Sequence, residues 1–236
     1  MKEKDFPLTP SPIGRLARTL TKGLWPNPLA RRYGSKLYSH GDEELIIRDF
    51  FGDRRDGFFV DVGANHYRVD STTYYLEKHL GWRGIAVDAV RGFEAGYLEH
   101  RKHTRFVCFF VSDKSDAEIE FHVTQKNYSR RSSHDRSWAK KYGKSVPSKV
   151  PTITLNDLLS REGVRKIDFL SVDLELGEPA ALAGFDIERY RPALVCIEMH
   201  KRVKKPILEY FALHGYGLLE KYKDFDPANS YFAPRP

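Results

Sequence analysis

Gly57-Phe58-Phe59-Val60-Asp61-Val62-Gly63-Ala64-Asn65 is the stretch whose reading decides the fold. An unbroken apolar run ends in an acid, a glycine follows, and a helical pattern begins shortly after, over 72–80. Continuous apolar runs of this length are strands covered on both faces, as in parallel sheets. The pattern repeats downstream. Residues 84–88 form a second run ending in an acid, with a helix at 93–100. A third run, 105–111, ends at Ser112-Asp113, and a fourth, 166–173, ends at Asp173. A helix at 178–183 carries Pro179 in its first turn, where a missing N–H is harmless. The fifth run, 192–197, ends at Glu198. A helix at 206–214 and two late strands, around 217–222 and 230–233, complete the order. Upstream, 43–51 reads as a helix with Asp42 as its N-cap. Strands alternating with helices predict an α/β, Rossmann-like domain, with a mostly parallel sheet and helices on both faces.

Ligands in such sheets sit at the carboxyl ends of the strands. Here Asp61, Asp88, Asp173 and Glu198 all fall at that edge. Acids gathered there are costly unless they meet hydroxyls, cations or a metal. Gly63 lets the chain turn tightly after the first strand and lets backbone come close to a ligand. The G-x-G-x-x-G series that cradles a pyrophosphate is absent, which disfavours NAD or FAD and an oxidoreductase. An acid before a single glycine suits a nucleoside carrying a cationic amino acid, such as S-adenosylmethionine. Asp88, ending the second strand, is placed to accept hydrogen bonds from ribose hydroxyls.

The chain has 236 residues, enough for one sizeable α/β domain. Its net charge of +7 favours anionic partners without choosing among them. Cys108 and Cys196 lie in apolar runs and read as core thiols of a reduced intracellular protein. They lack zinc-ligand spacing. No apolar run is long enough to span a bilayer, and 1–24 lacks a secretory core, so a cytoplasmic location is expected. Residues 1–38 read as an extension bearing a short basic amphipathic helix over 13–24, and 39–236 as the domain itself. Within the domain, 125–149 breaks the rhythm with basic and aromatic residues, among them Tyr128, Arg130, Arg131 and Trp138. Long insertions in compact domains are often functional. This one is expected as a lid whose arginine forks and rings contact the acceptor substrate, or else as a solvated loop.

Further pieces, in order, carry a resemblance. They are Ser39-His40-Gly41-Asp42-Glu43, then 58–65, then Tyr74-Tyr75-Leu76-Glu77-Lys78-His79-Leu80-Gly81-Trp82-Arg83-Gly84-Ile85, then Thr152-Ile153-Thr154-Leu155-Asn156-Asp157-Leu158, then 167–175 with Glu178, and last the strand from Ala193 to Glu198. Together they are similar to the FkbM family of class I methyltransferases across about residues 39–200. The resemblance implies a seven-stranded sheet and S-adenosylmethionine as methyl donor. It also implies O-methylation of a sugar or another hydroxylated small molecule. It carries Asp61, Gly63, Ala64 and Asn65 onto the methionine end of the donor, Asp88 onto the ribose, and Ser112 and Asp113 near the adenine. This sequence departs from the family pattern at His66-Tyr67, at Asp88-Ala89-Val90 and at Leu176-Gly177.

Methyl transfer to a hydroxyl needs acceptor, methyl and sulfur in line, and it needs the acceptor's proton removed. Asp173, Glu175 and His200 are the candidates for that proton. Asp173, Glu198 and His200 could instead hold Mg²⁺ or Mn²⁺ and so acidify the acceptor, or they could simply cap their strands. Two rival readings remain. One is a nucleic-acid-directed methyltransferase or RNA binder, allowed by the basic insert. The other is a non-catalytic methyltransferase-fold binding protein.

Overall fold

The computed structural model describes residues 27–125 and 130–236. The expected basic helix at 13–24 and the candidate Tyr128 lie outside the described residues. Strand β1 (Phe58–Val62) lies between β2 (Arg83–Asp88) and β7 (Phe169–Val172), parallel to both. Beyond β2 runs β3 (Thr104–Cys108), and beyond β7 runs β8 (Leu194–Glu198), again parallel. Next comes β10 (Asn229–Pro234), antiparallel, between β8 and β9 (Tyr216–Leu218). The order β3-β2-β1-β7-β8-β10-β9 is the seven-stranded, mostly parallel sheet that the resemblance implied. The strand order reverses direction between β1 and β7, so a crevice opens there at the carboxyl ends.

The apolar runs follow from this layering. Successive side chains of a strand point to opposite faces. Val60, Val62, Leu170 and Ile197 pack under the helices Leu155–Arg161, Glu178–Ala183 and Lys204–Leu213. Phe59, Phe169 and Cys196 pack on the other face, against Ile46 and Leu76 from the helices Glu43–Phe51 and Tyr74–Leu80. Neither face meets water, so neither needs polar residues. Asp42 does hold the N-cap position of Glu43–Phe51, but its carboxylate turns back to accept from Asn27 Nδ2 at 2.8 Å. Asn27 in turn caps a short helix, Pro28–Tyr33, that sits on the domain. Among the described residues no helix is long and apolar enough to cross a membrane.

Two expectations are corrected. The run at 105–111 is not one strand. It breaks at Phe109, where the chain leaves the main sheet, and β4 (Phe110–Val111) pairs instead with β6 (Ser145–Ile153). The insert is not a loop throughout. Strand β5 (Glu118–Thr124) pairs antiparallel with β6 in a smaller sheet of order β4-β6-β5, and Arg136–Lys141 is helical with Asp135 as its cap. The two cysteines are free, with Cys196 buried and Cys108 only half-buried.

One buried cation ties the sheet to its crevice. Arg101 is 3% exposed, and its guanidinium pairs with Glu77 at 2.5 Å. It also donates to the Tyr67 carbonyl at 2.9 Å and to Thr104 Oγ1 at 3.0 Å. Glu77 additionally accepts from the His103 amide, and its carboxyl is held below its ordinary range, since Arg101 and these donors outweigh burial. Removing one partner of a buried pair leaves an uncompensated charge. Arg101→Ala is therefore expected to cost about 3–5 kcal/mol. A urea unfolding midpoint close to wild type would contradict this.

Candidate functional site

The crevice opens where β1, β2, β7 and β8 end. Asp61, Gly63, Ala64, Asn65, Asp88, Asp173, Glu175 and Glu198 all line it. The sequence reading named each of these residues, and the topology brings them together.

Gly63 makes the turn after β1 possible. Its φ is 79°, and a Cβ there would collide with the Asp173 carbonyl at the end of β7. The close approach that demands glycine is thus to a neighbouring strand end. The loop's amides are already committed. Gly63 and Ala64 N–H donate to the Val87 carbonyl, and Asn65 N–H donates to Asp88 Oδ2 at 2.8 Å. What the loop offers a ligand is acceptor oxygen.

Asp61 is 4% exposed and accepts from Thr73 Oγ1 at 2.8 Å. That helps explain why the helix expected at 72–80 begins only at Tyr74: Thr73 stands at the N-cap and spends its hydroxyl on Asp61. Asp88 accepts from Asn65 N–H and, at 2.8 Å, from Val90 N–H. Burial pushes both carboxyls up to about 6, against the pull of these donors. His66 and Tyr67, which depart from the family pattern, do not obstruct the crevice. The His66 ring accepts from the Arg68 and Val69 amides, and Tyr67 stacks between His66 and His100.

The ends of β7 and β8 are denser in acid. Asp173 is exposed to the crevice, while Glu175, Glu178 and Glu198 are buried. Arg131, from the insert, reaches Glu175 Oε1 at 2.7 Å and Glu198 Oε1 at 3.5 Å. Trp138 Nε1 donates to Glu175 Oε2 at 2.7 Å, and its ring lies 4.6 Å from that of His200. Burial first, and then the charge of Asp173, drive Glu175 and Glu198 well above the ordinary carboxyl range. Burial pushes Glu178 up to about 8, although its Oε1 accepts from Leu174 N–H. His200 is pulled down by burial and by Arg131, against the charge of Asp173. The backbone beneath is strained. Glu175 and Leu176 have φ of 49° and 87°, the left-handed region where a side chain costs about 1–3 kcal/mol. Leu176 occupies the place where the family pattern has glycine.

Several placements differ from expectation. Ser112 and Asp113 do not line the crevice, because the break at Phe109 carries them onto the smaller sheet; Ala89, Val90 and Phe110 wall that end instead. Trp138 is buried behind Glu175 rather than presented to a substrate, and His200 also lies behind the lining. Arg130 lines the mouth, paired with Asp70 at 2.8 Å. The expected trio Asp173, Glu198 and His200 is not one cluster. The ligand atoms fall into two sets, Glu175-Glu198-His200 and Asp173-Glu178-Glu198. The sequence reading missed Glu43 and Asn229, which line the crevice and touch each other at 3.3 Å. Glu43 sat in a quoted motif, whereas Asn229 on the late antiparallel strand carried no signal.

A family model described as the methyltransferase FkbM domain matches residues 61–218. The chain belongs to the FkbM methyltransferase family. It is accordingly an S-adenosylmethionine-dependent methyltransferase. No curated protein matches it. Among solved structures, a TehB-like SAM-dependent methyltransferase from Corynebacterium glutamicum is 15% identical, with 87% of this chain and 92% of that one covered and a TM-score of 0.47. The precorrin-6y C5,15-methyltransferase of Geobacter metallireducens is 10% identical, covering 80% and 84%, with a TM-score of 0.46. The methyltransferase domain of METTL16 is 14% identical over 89% of this chain and 68% of that one, at 0.45.

Gly63→Ala is expected to lower stability by at least about 2 kcal/mol, since left-handed strain adds to a backbone clash. A melting temperature within a degree of wild type would show that the turn tolerates a side chain.

Proposed function

We propose that this methyltransferase binds S-adenosylmethionine across the ends of β1 and β2 and methylates a hydroxyl on a sugar or other hydroxylated small molecule. The observation that carries the reading is the acidic floor of the crevice. Asp61 and Asp88 are buried carboxylates with acceptor capacity to spare, at the two positions suited to a cationic amino acid and a ribose. A cation or hydroxyl donor arriving there offsets the desolvation that raises both acids. The adenine fits the apolar wall of Ala89, Val90 and Phe110. When bound, the donor supplies an already activated methyl group.

The chain's own residues must then place the acceptor and take its proton. Asp173 is the carboxylate turned to the crevice, which makes it the base in this reading. Glu175 is tied to Arg131 and Trp138 and acts as a positioning residue. Arg131 remains 30% exposed beside these acids and is the insert's natural contact for the acceptor. The same floor argues against a polyanion in the crevice, which disfavours the nucleic-acid reading. The basic residues of the insert that face it, Arg130 and Arg131, are already paired with acids.

Two outcomes are expected. Asp173→Asn should lower turnover by roughly a hundredfold or more while calorimetric donor affinity stays unchanged; turnover near wild type would remove Asp173 from the chemistry. Donor affinity should also depend on pH. Asp61 and Asp88 take up protons as pH falls through about 6. The protonated forms no longer attract the cationic donor, so the dissociation constant should be flat above about pH 7. At pH 5 it should be weaker by roughly tenfold or more. An affinity constant from pH 8 to 5 would show that these carboxyls do not hold the donor.

A further inference from the structure

Beyond the donor pocket, the back wall of the crevice holds two groups, Glu198 and His200, that the methyl-transfer reading does not use. Glu175 and Glu198 each turn one oxygen to Arg131 and the other to His200, and Trp138 Nε1 also donates to Glu175 Oε2. Both Oε1 atoms face Arg131, at 2.7 and 3.5 Å. Both Oε2 atoms face His200 Nε2, at 3.6 Å from Glu175 and 3.0 Å from Glu198. Within the second group Glu175 Oε2 is satisfied by Trp138, and the other two atoms are not. Glu198 is 4% exposed, yet its Oε2 has no hydrogen-bond partner, and neither does the buried His200 Nε2, although the two atoms are 3.0 Å apart. They are close enough to bond but point wrongly for it. A hydrogen bond needs the ring N–H directed along the line between the atoms.

We infer that Glu175 Oε2, Glu198 Oε2 and His200 Nε2 form a divalent-cation site. Ligands set at right angles around an ion, with bonds of about 2.1 Å, lie roughly 3 Å apart, and the ion lies well off the line joining them. The lone pairs then point to a shared centre rather than at each other. That is how two atoms at 3.0 Å can both lack a hydrogen bond and still be matched. The outer contacts also fit. Metal-binding side chains are oriented by second partners: Arg131 holds Glu175 Oε1, and Trp138 Nε1 donates to Oε2, which keeps a second lone pair for the ion. Two carboxylates with one imidazole suit Mn²⁺ or a similar ion. Glu175 and Glu198 also line the crevice in which an acceptor hydroxyl would be placed. Any role in acidifying that hydroxyl rests on the acceptor reading above; the site itself does not.

The test is an Mn²⁺ titration of the full chain, stripped with chelator and exchanged into chelator-free buffer, read by the electron paramagnetic resonance of the free ion. One Mn²⁺ per chain is expected. Glu198→Gln and, separately, His200→Ala should each weaken it at least tenfold. His200 is 27% exposed, so its replacement leaves the core intact and keeps the test informative should Glu198→Gln fold poorly. Failure of the wild-type chain to deplete millimolar Mn²⁺, or wild-type affinity in a folded His200→Ala, would overturn the inference. A parallel S-adenosylmethionine titration of the stripped protein separates the two readings. If the donor binds and Mn²⁺ does not, only the cation site falls.

Discussion

The fold is organised around carboxylates that it has to bury. Parallel strands covered on both faces bring their carboxyl ends to a single edge, and in this chain that edge is acid on β1, β2, β7 and β8. An unpaired buried charge costs several kcal/mol, so each acid must find a donor or give up its charge. Much of the surrounding structure consists of such donors. Thr73 gives its hydroxyl to Asp61, and the Asn65 and Val90 amides serve Asp88. Leu174 N–H serves Glu178, and Arg131 with Trp138 serves Glu175.

This constraint assigns the insert its role. Its helix and the turn before it bring one indole N–H and one cation to the densest part of the acidic edge. Arg131 and Trp138 join the insert to the end of β7 through a single side chain, Glu175. A loop that merely covered the site would not need a buried tryptophan. The left-handed backbone at Glu175 and Leu176 lies directly beneath this pairing. Arg101 acts at the other end of the edge. It fixes the Thr73 carbonyl at 3.3 Å, next to the hydroxyl that Asp61 accepts from.

The central sheet was legible because its strands are buried on both sides and therefore uniformly apolar. Asp61, Asp88, Asp173 and Glu198 could be placed at strand ends from the sequence alone, and Gly63 at the turn. The misreadings have physical causes. Phe106 to Val111 is apolar throughout, so nothing local marks the change of sheet at Phe109. The strand Ser145–Ile153 contains Pro147 and Pro151, which argue against a strand. Pro147 is tolerated because it faces His122, whose own N–H and carbonyl are turned away to Ser133. Partnerships such as Trp138 with Glu175, 37 residues apart, and the choice of Glu175 over Asp173 beside His200 depend on side-chain direction, which spacing does not encode.

The account rests on the acidic crevice being the seat of the donor nucleoside. Crystals soaked with S-adenosylhomocysteine, the demethylated donor, test that most directly. Density is expected with the ribose hydroxyls at Asp88 and the amino acid end beside Asp61 and Gly63. A nucleoside bound elsewhere, or an empty crevice at saturating ligand, would contradict it.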